Sequence, residues 1–239
     1  GGGLYIESST PLLENVEVRE NHSLIGGGAY FKSSDVIIRN TDIKSNYLTA
    51  SDVSLREGGG IYSLNTDLVV ENMVISGNVA TGGKGGGIMV KTTGDGGRID
   101  SENLFSSIEL NNNEADEGAG MYFSANSMNT LNNVLISENV AYEQGGGIFT
   151  EEGSYSLIIN SSIVGNNAWN DGAGLYVQDV TEGPVIVNSI IWGNTLTEDE
   201  LTGIEQISFD LDSDAHLYIA YSNIEGAYNS ELGEWFTIE

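Results

Sequence analysis

The chain of 239 residues contains no cysteine, so it has neither a disulfide framework nor a thiolate metal site, and its compartment cannot be read from redox chemistry. It has only 2 prolines and, despite 32 glycines, no Gly-X-Y period, which excludes collagen and argues against a low-complexity linker. Basic residues are also scarce: 8 Lys and Arg face 35 Asp and Glu, giving a net charge of −27. The last basic side chain is Arg98, and residues 99–239 carry 24 carboxylates. Such a surface repels phosphate backbones, anionic lipid and acidic polysaccharide, so nucleic acid is a poor partner. No apolar run approaches the roughly 18 to 20 residues of a membrane span, and no basic segment followed by an apolar one opens the chain. The only histidines, His22 and His216, sit in no nucleophile motif, which leaves a Ser/His/Asp site poorly supported.

What the chain does have is a repeat. With 39% apolar residues it can bury a core, and its excess glycine is placed rather than scattered. Triplets of the type GGGIY or GAGLY begin at Gly1, Gly26, Gly58, Gly85, Gly118, Gly145 and Gly172, with a further unit starting near residue 204. A unit of about 27 residues therefore recurs, which signals a solenoid, propeller or array. Each unit carries two asparagines six residues apart: Asn15/Asn21, Asn40/Asn46, Asn72/Asn78, Asn133/Asn139, Asn160/Asn166 and Asn188/Asn194. The fourth unit keeps only the second, Asn113, with Leu110 in the slot that Ile or Val fills elsewhere.

The apolar residues between these markers alternate over four or five positions and are β-branched, which is strand spacing and not helix spacing. A propeller blade needs four longer strands, and the leucine spacing of a leucine-rich repeat is missing. About three short strands per unit, stacked coil on coil at about 4.8 Å, make a parallel β-helix of about eight coils within a single all-β domain, 1–239. The glycines then mark the corner where each coil closes with positive φ and no room for a Cβ. Stacked asparagines at the other corners satisfy one another's amides.

The segments GGGIY, VVENMVISGN, SIIWGN and AYSNIEG resemble the right-handed parallel β-helix repeats of large bacterial secreted and cell-surface proteins, which share an architecture with pectate lyases. The resemblance covers nearly the whole chain. It implies a right-handed coil and an extracellular or cell-surface location, and it points to a piece of a longer polypeptide. Because such repeats serve adhesins, stalks and carbohydrate-active enzymes alike, it implies activity only weakly.

Candidate functional residues follow from the strand after the glycines. Leu4, Ala29, Ile61, Ile88, Met121, Ile148 and Leu175 point inward, so the next residues, Tyr5, Tyr30, Tyr62, Met89, Tyr122, Phe149 and Tyr176, face outward as an aromatic stripe. Such a stripe is either a platform for glycans or other surface proteins, or a ladder that stiffens the sheet or a face covered by loops. Charged columns at Glu57, Lys84, Glu117, Gln144 and Asp171, and at Glu14, Arg39 and Glu71, place opposite signs on neighbouring coils. Glu17 and Asp42 share an outward column that a glycosidase would need, but Arg19 and Lys44 flank them as salt partners. A lyase needs a basic side chain, which the stretch after Arg98 lacks. Asp210, Asp212 and Asp214 in FDLDSDA are the candidate ligands for Ca2+, although Ala215 stands where a calcium loop has glycine and Tyr221 where it has glutamate.

Insertions at 49–57 and 195–203 occupy one corner and that at 93–101 another, so they wall no common cleft. These features lead to the expectation of a non-enzymatic structural or adhesive segment. The alternative is a carbohydrate-binding or polysaccharide-cleaving module that uses the aromatic stripe.

Overall fold

Each coil is built from runs too short to fold alone, such as IFT, YSLII, SIV and NA in the sixth, and each run finds its hydrogen-bond partners one coil away. The computed structural model describes residues 1–93, 100–124, 126–151, 153–178, 183–197, 206–210 and 217–226, together with the backbone of 236–238. The described residues are nearly all strand, and every strand pairing is parallel. They form a parallel β-helix of eight coils, with the strand Phe236–Ile238 laid on the eighth.

Three sheets run along the axis. The first contains the eight strands that follow the glycines, from Leu4–Glu7 to Ile207–Phe209. The second, of 15 strands, is strongly bent, and the third contains seven strands from His22–Ser23 to Thr195–Leu196. Where three strands per coil were expected, most coils have four short ones, the middle two lying in the bent sheet. In coils three and four these two merge, as Asp67–Ser76 and Ser101–Asn111. The bend falls on the first asparagine of each pair. Asn15, Asn40, Asn72, Asn133, Asn160 and Asn188 all have φ between 49° and 57°, and Ser107 (φ 55°) takes this place in coil four. Asparagine is here because it tolerates the left-handed conformation, not because its amide is buried: this column is exposed.

The second asparagine is the buried ladder. The Nδ2 of Asn21 donates to Oδ1 of Asn46 at 3.0 Å, and the chain of bonds continues through Asn78, Asn113, Asn139, Asn166 and Asn194 at 2.9–3.0 Å. It ends on Gln206, whose Oε1 accepts from Asn194 at 2.6 Å. The other amide hydrogen of each inner rung goes to a backbone carbonyl of the preceding coil, as in Asn113 to Ile75 at 3.0 Å. Register across the fourth coil is settled by the pairing of Ile75 with Leu110, which puts Asn113 on the ladder.

The third glycine of each triplet makes room for this ladder. A Cβ on Gly87 would stand 2.5 Å from the Gly120 carbonyl oxygen and 3.2 Å from the Asn113 amide nitrogen. The first glycine supplies the left-handed turn, with φ between 58° and 71° from Gly26 to Gly172. Middle positions accept alanine in two coils because Ala119 and Ala173 join a buried file with Ala80, Ala115, Ala141 and Ala168. Inside, one continuous apolar core contains the inward columns, including Ile43, Ile75, Ile136, Ile163 and Ile191, each burial stabilising by roughly 1.5–3 kcal/mol.

Candidate functional site

The strand after the glycines places a ring on the side away from the main core in six of the eight coils, with Met89 in the fourth and Ser208 in the eighth. Tyr5 and Tyr30 meet edge to face with centroids 5.2 Å apart, and Tyr30 and Tyr62 likewise at 4.9 Å. Tyr122 and Phe149 stack at 4.6 Å with 8° between planes, and Tyr176 follows at 5.0 Å. The file is as expected, but its exposure is not. Tyr62, Tyr122, Phe149 and Tyr176 are only 4%, 0%, 1% and 5% exposed, and Met89 is buried with them; only Tyr5, at 52%, is open, with Tyr30 between. The expected outward face is corrected to a second apolar core over Tyr62, Met89, Tyr122, Phe149 and Tyr176.

The cause is the file's own neighbours: the rings and Met89 pack on those of adjacent coils, with Ile25, Tyr30 and Leu64 against them, whereas Tyr5, on the first coil, has a ring on one side only.

Hydroxyls and carboxylates gather at the edge of this file. Burial pushes the Tyr62 and Tyr122 phenols far above their ordinary range, and the nearby charges of Glu57, and of Glu151 and Glu117, push the same way. Tyr176 is pushed up to about 12, first by burial and then by Asp210 and Asp171. Lys84 Nζ lies 2.9 Å from Glu117, 2.7 Å from the Tyr122 hydroxyl and 4.6 Å from the centre of that ring. Lys91 Nζ lies 2.6 Å from Glu57. The carboxyl of Glu143 is raised by burial and then by the charges of Glu117 and Asp116, with Lys84 opposing. At neutral pH these phenols are protonated, and Glu57 and Glu117 each face a lysine, an arrangement that balances its own charge.

Two hollows adjoin these elements. One of about 280 Å3 lies between the 49–57 insertion, with its short turn Val53–Leu55, and Gly82–Lys84; Arg56 reaches across it from a bond to the Ala50 carbonyl. The other, a groove of about 560 Å3, follows the bend of the wide sheet past Asn72, Ser107, Asn133 and Asn160. Asp42 and Glu109 border it two coils apart. Glu17 and Asp42 are paired in register, and each has its salt partner: Arg19 at 3.6 Å from Glu17 and Lys44 at 2.7 Å from Asp42. Charge columns alternate as expected, with Arg39 at 2.6 Å from Glu71.

Of the candidate calcium ligands, Asp212 and Asp214 lie outside the described residues, as do 94–99 and 198–203 of the insertions. Asp210 ends the strand Ile207–Phe209, its backbone N–H donating to the Val177 carbonyl at 2.9 Å. Among the described residues no three acidic or histidine side chains converge to hold a metal, and no helix is long and apolar enough to cross a membrane. No family model matches the chain, and neither a curated protein nor a solved structure matches it.

Proposed function

We propose that this chain is a rigid, non-enzymatic structural or adhesive segment of a large secreted or cell-surface protein, of the kind whose repeats resemble pectate-lyase-like β-helices. The observation that carries the reading is the buried amide ladder from Asn21 to Gln206, which ties consecutive coils together. A rod held by equal bonds at every step transmits force and keeps distance without moving parts, which suits a spacer or adhesin body. The self-neutralised lysines and carboxylates beside the phenols favour the same reading, since their charges are used on each other.

The experiment is a screen of the purified chain against neutral and acidic polysaccharides for product release, alongside a glycan array. No turnover and no sugar binding that depends on Tyr30, Tyr62 or Tyr122 is the expected result. Product release abolished by Glu117→Gln would overturn the proposal.

A further inference from the structure

The bent sheet changes character halfway along the rod. On its outer face, coils one to four carry charged side chains, such as Glu17 and Arg19 in EVR, Asp42 and Lys44 in DIK, and Asp35 and Arg39 in DVIIR. Coil five reads SMNTLN and LIS, mixed polar and apolar, and coils six and seven include YSLII, VIV and IIW; no outward side chain on the second and third strands of coils five to eight is charged among the described residues. Glu138 and Glu225 stand only at its rim. This occurs in the half of the chain that carries 24 carboxylates and no lysine or arginine.

Uninterrupted apolar strands are the pattern of a parallel sheet covered on both faces. Here one face covers the core and the other is open: Met128 is 47% exposed, Ile190 45%, Trp192 46% and Tyr221 81%. Four coils at about 4.8 Å by some ten residues at about 3.3 Å give a face of roughly 600 Å2. That matches one side of an interface at the small end of the specific range.

We infer that this face binds a second copy of the same chain. The charge pattern selects the partner. A basic partner would gain from carboxylates on the docking face, and a neutral one would be indifferent to them; only an acidic partner is penalised by them. The acidic partner at hand is the chain itself, at −27, and the face cleared of charge is where two such bodies can meet. Pairing through one patch common to both copies closes as a two-fold dimer that covers the open Trp192 and Ile190. The inference does not depend on the spacer reading, because a pair could form whatever else the rod carries.

Sedimentation equilibrium of the whole chain across a concentration series tests it. The expected result is a reversible monomer–dimer equilibrium that tightens as salt is raised, because salt screens the remaining repulsion while leaving apolar burial intact. Trp192→Glu weakens dimerisation by roughly 30-fold or more, the effect of losing an aromatic anchor. Ile190→Asp does the same from the neighbouring position, and Val53→Glu, on the remote insertion, leaves it unchanged; circular dichroism confirms that each variant is folded. A monomer at all concentrations and salt levels overturns the inference. So does a dimer that both interface variants leave intact, or a monomer that instead captures a neutral glycan or another protein on this face.

Discussion

Replacing Asn139 by alanine removes the middle rung of the amide ladder. Its Nδ2 donates to the Leu110 carbonyl at 3.1 Å and to Asn166 Oδ1 at 2.9 Å, and its Oδ1 accepts from the backbone N–H and the side-chain amide of Asn113, each at 3.0 Å. Not all four bonds leave a casualty. Asn166 Oδ1 keeps the Asn139 backbone N–H at 3.1 Å, and the Asn113 amide keeps the Ile75 carbonyl at 3.0 Å. The Asn113 backbone N–H and the second hydrogen of its amide lose this acceptor, and the Leu110 carbonyl loses this donor, in a place where the ladder is fully buried. At about 1–3 kcal/mol for each of the three groups left unmatched, the loss is roughly 3–9 kcal/mol. Asn21→Ala at the end of the ladder is the internal control. Asn46 Oδ1 still receives the Asn21 backbone N–H at 3.0 Å, so only about 1 kcal/mol is lost. Urea unfolding followed by circular dichroism measures both, with the slope checked for a split transition, since a solenoid weakened at one coil can unfold in two parts. Equal costs for the two variants, or a cost below about 1 kcal/mol for Asn139→Ala, would refute the ladder as the main tie between coils.

Most of the fold was legible because a solenoid converts sequence period directly into space: residues about 27 apart became neighbours, and identical residues became columns. What the period does not say is which job a column performs. The two asparagine columns look alike in sequence, yet Asn160 is exposed at a left-handed bend and Asn166 is buried in the ladder. Gln206 shows the converse, since it caps the ladder with no asparagine to announce it. The aromatic stripe failed for a related reason. Alternation correctly separates the two faces of a strand, but calling the second face solvent requires knowing what lies over it. In this chain the rings and Met89 of neighbouring coils cover one another, with Ile25, Tyr30 and Leu64 packed against them. On the wide sheet the same alternation rule gave no warning, because VIV and IIW are apolar at every position and only the surface shows which members remain open.

Two glycines with the same backbone conformation separate strain from crowding. Gly165→Ala, at φ 65° with nothing within 4 Å, costs about 1–2 kcal/mol for the left-handed conformation alone. Gly118→Ala, at φ 61° with the Met121 carbonyl oxygen 2.6 Å away, costs well beyond that, and equal melting temperatures for the two would sink the crowding argument. The buried phenols predict a specific alkaline limit. Burial raises the folded-state pKa of Tyr62, Tyr122 and Tyr176, the last to about 12, so the native state holds protons that the unfolded chain releases near pH 10. Their contribution to stability is therefore complete below about pH 10 and declines as pH rises toward and beyond 12, with the unfolded state favoured by each phenolate it forms. Following phenolate absorbance and circular dichroism together checks this: the phenols of the buried file ionise only as the fold is lost. Phenolate formation by Tyr62, Tyr122 and Tyr176 near pH 10 with the β signal unchanged would mean that these rings are open to water, and the reading of the stripe as a second core would fall with it.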